Sequence, residues 1–162
     1  MVGIDFSRRL LMIGRTAGRS QAWGARVEWV EADGTSLPLR SESVDACTCV
    51  AVLHHLPGGE DRARALAEVR RVLVPHGRAF VSVWAMDQPR FQDVVRRRES
   101  YPPETRGDVD VPWSLPDGRI VPRYYHLFQE GELASLIIES GLEEETFFRG
   151  SGNIFALARK HG

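Results

Sequence analysis

Long apolar runs are absent from this sequence of 162 residues, and so is a basic-then-apolar opening. A membrane-spanning helix needs about 20 consecutive apolar residues, and a signal peptide needs a charged start followed by an apolar stretch. We therefore expect a soluble, cytoplasmic protein, with the nucleus left open as a second compartment. With 43% hydrophobic and 27% charged residues, the composition predicts one folded domain over residues 1–162.

Cysteine and lysine are also scarce. Cys47 and Cys49 alternate in one apolar run and so point to the same face of a strand, which favours core thiols over a disulfide or a metal site. Lys160 is the one lysine, and the formal net charge of -1 is not the basic balance typical of a nucleic-acid-binding domain. The run from Arg96 to Arg98 is either a local phosphate-binding patch or a solvated helix face.

Strand and helix patterns alternate through the first half of the chain. Strand patterns lie at 2–5, 27–31, 44–53 and 79–85, and helix patterns at 6–12 and 59–73. This order predicts an α/β fold with a parallel sheet and right-handed crossovers. The almost continuously apolar segment 44–53 predicts a central strand covered on both faces. In the helix that follows, we expect Arg62 and the other arginines to face solvent.

The second half begins with a proline-rich insertion at about 87–122 that has little periodicity. It predicts a loop with one short helix over 91–98, and long loops of this kind are commonly functional. A helix over 130–140 and a closing hairpin of strands 144–149 and 154–159 complete the pattern.

Polar side chains stand where three of the predicted strands end: Asp5, Asp33, and the pair His54 and His55. Ligands of an open parallel sheet bind beyond the carboxyl ends of its strands, and a carboxylate there can accept hydrogen bonds from both hydroxyls of a ribose. Each residue also has an ordinary alternative. Asp5 can cap the next helix, Asp33 can belong to an Asp-Gly turn, and either histidine can be a surface or capping residue.

Four segments carry a resemblance to a known family: GIDFS, EADGTSLPL, SVDACTCVAVLHHL and EVRRVLVPHGRAFVSVWA. Together they resemble the second to fifth strands of class I S-adenosylmethionine-dependent methyltransferases. The resemblance implies a Rossmann-like fold, a mostly parallel sheet with an antiparallel last strand, and S-adenosyl-L-methionine as cofactor. It implies that Asp5 holds the cofactor's ribose and that Asp33 lies by its adenine. The first strand and glycine-rich turn of such a domain are expected to be lacking, since Gly14 and Gly18 follow a helix.

Three further segments, VWAMDQ, DVDVPW and RYYHLFQEGEL, resemble the eukaryotic tRNA wobble-uridine carboxymethyl methyltransferases of the AlkB-homologue and yeast type. This implies tRNA as substrate and conversion of 5-carboxymethyluridine to its methyl ester. It also implies that Arg123 grips the uridine carboxylate or a phosphate, while Tyr124, Tyr125 or His126 stacks on the wobble base. The alternative is that Arg123, Tyr124 and Tyr125 form a structural corner before the last helix.

The implied reaction needs orientation more than proton transfer. A carboxylate has an ordinary pKa of about 4, so it is already ionised at neutral pH and needs no general base. His54 or His55 would line the transfer pocket with a donor directed at the substrate, and Arg123 is the third candidate for a catalytic role.

Members of this family are activated by a small zinc-binding protein that adds a strand to the methyltransferase sheet. The segment 26–31 alternates apolar and charged residues as an edge strand does, with Trp29 and Val30 as its apolar contacts.

Two other functions stay open on the sequence alone. One is a class I methyltransferase acting on a small molecule, and the other is a catalytically inactive remnant that serves as a binding module.

Overall fold

Strands and helices alternate in the computed structural model, which describes residues 1–21 and 26–162. The chain divides into two units, Met1–Leu39 (unit 1) and Arg40–Gly162 (unit 2). None of the helices in the described ranges is long and apolar enough to cross a membrane.

Unit 1 is a strand-helix-strand element. Strand β1 (Val2–Asp5) leads into helix α1 (Arg8–Gly18), and β2 (Glu28–Glu31) returns parallel to β1. Ser7 caps the helix, because its hydroxyl oxygen accepts a hydrogen bond from the Leu10 amide at 3.4 Å. The two strands and the cap agree with the sequence prediction, while the helix continues beyond its predicted end.

Unit 2 is built on a four-stranded sheet. Its strands are β3 (Val44–Val50), β4 (Leu73–Trp84), β7 (Leu142–Gly150) and β8 (Asn153–Lys160), in the order β3-β4-β8-β7. β3 runs parallel to β4, and β8 runs antiparallel to both of its neighbours. The reversed strand is therefore the last one in the chain, which confirms the predicted α/β fold with an antiparallel last strand.

Helices α2 (Gly59–Val72) and α5 (Glu132–Glu139) pack on this sheet. The core brings their apolar side chains against small and branched residues of the two central strands; it includes Leu66, Val69, Ile137, Val81, Val83, Ala156 and Ala158. Burial of this apolar surface is the main term that stabilises unit 2.

Two predictions for this unit are wrong. Strand β3 is not covered on both faces: four of its seven residues are exposed, and among the described residues it pairs with β4 alone. Arg62 does not face solvent but is only 3% exposed. It lies four residues before Leu66 and seven before Val69, and therefore on the buried stripe of α2.

The insertion is the largest difference from the sequence prediction. It contains a 3-10 turn (Pro89–Phe91), α3 (Gln92–Arg97) and α4 (Pro103–Arg106), and then an antiparallel hairpin of two strands. These are β5 (Asp108–Ser114) and β6 (Ile120–His126). Pro112 and Pro122 stand opposite each other in the ladder and conceal the strand pattern. Both strands of a two-stranded ribbon are edges, and edges are where proline is tolerated.

Candidate active site

His54 and His55 lie in a 3-10 turn (Leu53–His55) shortly after β3. His54 is buried, and its Nδ1 accepts a hydrogen bond from the Trp84 amide at 3.3 Å. Burial, together with His55 and Arg123, lowers the pKa of His54 to about 3. His54 is therefore neutral at pH 7, with its proton on Nε2.

His55 contacts Arg123 of β6, with 3.3 Å between His55 Nε2 and Arg123 Nη2. A guanidinium has no acceptor, so Arg123 donates and His55 Nε2 accepts. Burial and the positive charge of Arg123 lower the pKa of His55, while a backbone hydrogen bond with Tyr124 acts in the opposite direction. The pair therefore carries one positive charge, and this charge lies on Arg123.

A column of aromatic rings supports the two histidines. The rings of Trp84 and Tyr125 are parallel, with centroids 4.3 Å apart and an interplanar angle of 3°. Tyr125 in turn contacts His55, with ring centroids 4.5 Å apart. The Arg90 guanidinium lies over the indole of Trp84, 4.3 Å from its ring centroid. Because Tyr125 is buried in this column, its ring is already covered by protein.

His126 joins the hairpin to α5. It is fully buried, with Nδ1 2.7 Å from Asp108 Oδ1 and Nε2 2.6 Å from Glu132 Oε1. Glu132 Oε2 also accepts a hydrogen bond from the Gln129 amide at 3.0 Å. Such charge-assisted contacts are stronger than neutral ones, so β5, β6 and α5 are tied together at one imidazole.

Tyr124 belongs to the same network, because its hydroxyl donates to Asp108 Oδ1 at 2.7 Å. Burial, and then this hydrogen bond, raise the pKa of Tyr124 to about 12, against a weaker opposite effect of Arg62. The hydroxyl therefore remains protonated over the whole physiological range of pH.

The four predicted substrate residues thus divide into two pairs. Arg123 and Tyr124 are half-buried. Tyr125 and His126 are buried, so neither ring has an exposed face on which a nucleobase could stack. Asp108 and Glu132 were not singled out as site residues. Their signal was present in the sequence, since Asp108 stands in the segment DVDVPW and Glu132 in RYYHLFQEGEL, but their shared contact with His126 required the fold.

Asp5 and Asp33 both lie in unit 1, at the ends of their strands. Asp5 Oδ1 accepts from the Ser7 amide at 2.7 Å, which is the local contact expected at a helix start. Asp33 is exposed, and its Oδ1 accepts from both the amide and the hydroxyl of Thr35 at 2.8 Å. The turn at Asp33 is therefore present, whereas Ser7 and not Asp5 is the cap of α1. The contact with the Ser7 amide leaves the second carboxylate oxygen of Asp5 available to a ligand.

The arginine run lies at the end of α3. Arg96 and Arg97 are exposed, and the Arg98 guanidinium lies 4.6 Å from the Tyr101 ring centroid. Arg96 also lines an open cavity of about 390 Å³ next to Arg149.

Cys47 and Cys49 are free thiols at the core, and no group of three or more metal-ligating side chains occurs within residues 1–21 and 26–162.

The sequence pattern of a methyltransferase domain matches residues 1–81, half of the chain. The chain belongs to this methyltransferase family. A solved structure, a SAM-dependent methyltransferase from Methanosarcina mazei, is similar with a TM-score of 0.80 at 21% identity, over 99% of this chain and 81% of that one. This likeness confirms the Rossmann-like methyltransferase fold.

Two curated relatives of this chain have more specific names. A tRNA (carboxymethyluridine(34)-5-O)-methyltransferase of Schizosaccharomyces pombe is 30% identical over 160 residues, covering 87% of this chain and 64% of that protein. Mouse ALKBH8, a protein of the same name, is 39% identical over 88 residues, covering 54% of this chain and 12% of that protein. The chain thus spans less than two thirds of the length of either relative.

The His126 network gives a stability prediction for unit 2. Glu132→Ala should lower the free energy of unfolding by about 2 to 3 kcal/mol, because His126 Nε2 and the Gln129 amide lose their partner inside the protein. Glu130→Ala, two residues earlier on the exposed surface, should stay within about 0.5 kcal/mol. Urea unfolding of both variants measures the difference. Equal losses would mean that the network does not hold the hairpin.

His54 gives a pH prediction. Its pKa is lowered in the folded state, so the unfolded chain binds a proton first as the pH falls. The contribution of neutral His54 to the free energy of unfolding is complete above about pH 6.5 and is lost progressively toward pH 3. Between pH 7 and pH 5, the free energy of unfolding of wild type should therefore fall by about 2 kcal/mol more than that of the variant His54→Gln, which has no charge to gain. His161→Gln, at an exposed terminal position, is the control and should follow wild type. Parallel curves for wild type and His54→Gln would contradict this assignment.

Proposed function

We propose that this chain acts as an S-adenosylmethionine-dependent tRNA methyltransferase that converts 5-carboxymethyluridine at the wobble position to its methyl ester. The names of the two curated relatives support this substrate. The observation that carries the proposal in this structure is the pair of Arg123 and His55, in which a guanidinium is held beside a neutral imidazole. An anionic carboxylate suits this local positive charge, because the fork of an arginine can bind it through two hydrogen bonds.

The residues of unit 2 then act mainly by orientation. The substrate carboxylate is the nucleophile and is ionised at neutral pH, so no side chain has to remove a proton. His54 and His55 are neutral and do not compete with Arg123 for the carboxylate. Arg123 fixes the position of the substrate, and the stacked rings of Tyr125 and Trp84 fix the direction of Arg123 and His55.

For the cofactor, we propose a role for Asp5 and Asp33 of unit 1. S-adenosyl-L-methionine, when bound, supplies a methyl group on a positively charged sulfur. Asp5 fits its ribose: Oδ1 is used by the Ser7 amide, whereas Oδ2 makes no hydrogen bond within the described residues and can accept from a hydroxyl. Asp33, in the turn after β2, is proposed to lie by the adenine.

Arg123 and Asp5 can be tested against each other. Arg123→Lys keeps the charge but loses the fork, so methyl transfer to tRNA should fall at least about tenfold while cofactor affinity holds. Asp5→Ala should instead act on cofactor affinity and weaken cofactor binding by about 1 to 3 kcal/mol. Isothermal titration with S-adenosyl-L-methionine and single-turnover transfer to tRNA measure the two effects.

The two variants serve as controls for each other. Loss of cofactor binding and of transfer in equal measure by Arg123→Lys would make Arg123 structural. Transfer to a small-molecule acceptor but not to tRNA carrying 5-carboxymethyluridine would refute the proposed substrate.

We further propose a protein partner, a small zinc-binding activator that pairs with β2. Among the described residues β2 pairs with β1 alone, so its second edge has free backbone groups. The amides of Glu28 and Ala32 donate to carbonyls of the β1 segment, which places the amides of Trp29 and Glu31 on the second edge. Trp29 was expected to contact the partner through its side chain. Its ring instead lies against Gly3 and Gly14, inside unit 1.

The free edge of β2 suggests a backbone test. Glu31→Pro removes one edge amide without touching the ladder to β1, so complex formation with the co-expressed activator should be lost. Glu31→Ala keeps the amide and should keep the complex. Size-exclusion chromatography of the co-expressed pairs gives the answer, and a complex that survives Glu31→Pro would exclude pairing at this edge.

A further inference from the structure

Trp113 is an exposed aromatic residue at the outer end of the hairpin. It shares a face of the ribbon with Val109 and Val111 on β5, and with Arg123 and Tyr125 on β6. Exposure rises along this face, from 5% at Val109 to 47% at Trp113. The face therefore begins in the core and ends in solvent, with an indole as its last aromatic group.

The Arg123 guanidinium connects this indole to the candidate active site. Its central carbon lies 4.8 Å from the Trp113 ring centroid and 5.5 Å from that of Tyr125. Its Nη2 is the atom that contacts His55 at 3.3 Å. Trp113 is thus in contact with the residue proposed to hold the substrate, and the Arg123 guanidinium covers one part of the indole surface.

The Arg123 guanidinium also has N–H groups that make no hydrogen bond within the described residues. A guanidinium carries five N–H groups, and within the described residues the contact with His55 is its one hydrogen bond. The remaining N–H groups, beside an exposed indole, can donate to one pair of phosphate or carboxylate oxygens of a ligand. A flat apolar surface next to a cationic fork matches a nucleobase and an anionic group on the neighbouring nucleotide.

We propose that Trp113 and Arg123 form a stacking platform for an unpaired nucleobase of the RNA, next to the nucleotide that is methylated. This inference rests on the proposed function and adds a binding subsite to it. The base stacks on the exposed indole, and Arg123 beside it holds the carboxylate of the reacting nucleotide. Stacking on an aromatic side chain accepts any base, so the platform recognises single-stranded RNA without reading its sequence.

Binding of a short fluorescein-labelled single-stranded RNA to the full chain tests the platform by fluorescence anisotropy, without cofactor. Trp113→Ala should weaken binding about fivefold to a hundredfold, and Trp113→Phe should retain most of it. Phe148→Ala is the matched control, because Phe148 is 48% exposed in the same unit and lies on β7, in the four-stranded sheet. It should leave binding unchanged.

A second measurement separates stacking from a structural role. RNA should quench tryptophan emission in wild type, and this quenching should shrink in Trp113→Phe while the melting temperature stays the same. Equal affinities of wild type and Trp113→Ala would overturn the platform. So would equal binding of single-stranded and fully duplex RNA, since a paired base cannot reach the indole.

These assays do not depend on methyl transfer. If the chain binds single-stranded RNA through Trp113 but fails to methylate tRNA, the proposed reaction is refuted and the platform stands. If it methylates tRNA and Trp113→Ala neither weakens RNA binding nor raises the KM for tRNA, the platform is refuted and the reaction stands.

Discussion

The contact on which the position of the β5-β6 hairpin depends is the imidazole of His126 between the carboxylates of Asp108 and Glu132. Two consecutive strands and the helix that follows them meet at this one buried side chain. A two-stranded hairpin is only marginally stable by itself in water, so β5 and β6 need such an attachment. The partly exposed carboxylates keep some hydration, which lowers the desolvation cost that a fully buried ionic group would carry.

The position of Arg123 follows from this attachment. His126 and Arg123 belong to the same strand, three residues apart, so their side chains lie on opposite faces of the ribbon. The face of His126 is fixed to α5, and the face of Arg123 is thereby presented to His55. The polar network and the aromatic column are two sides of one strand: the first sets where β6 lies, and the second sets which way its guanidinium points.

Much of the fold could be predicted from the sequence, because each strand of the four-stranded sheet has a local apolar pattern. The hairpin could not, since Pro112 and Pro122 are typical of loops unless they are known to face each other across a ribbon. The candidate site was predicted in part. His54, His55 and Arg123 were named, and the structure brings them together. The burial of Tyr125 depended on packing against Trp84 and His54, which are distant in the chain, and no local pattern contains this contact. The burial of Arg62 could have been predicted, because Arg62 stands on the apolar stripe of α2.

The turn between the two strands of the ribbon has a consequence for variation among proteins of this kind. It spans Leu115–Arg119, and Gly118 adopts a left-handed backbone there, with φ of 82°. The attachment through His126 lies at the other end of the ribbon. Insertion of residues into a surface turn costs little free energy, and each doubling of a flexible loop adds only about 0.6 kcal/mol. The reach of the ribbon over a bound molecule can therefore change by lengthening this turn, while the residues that anchor the ribbon remain as they are.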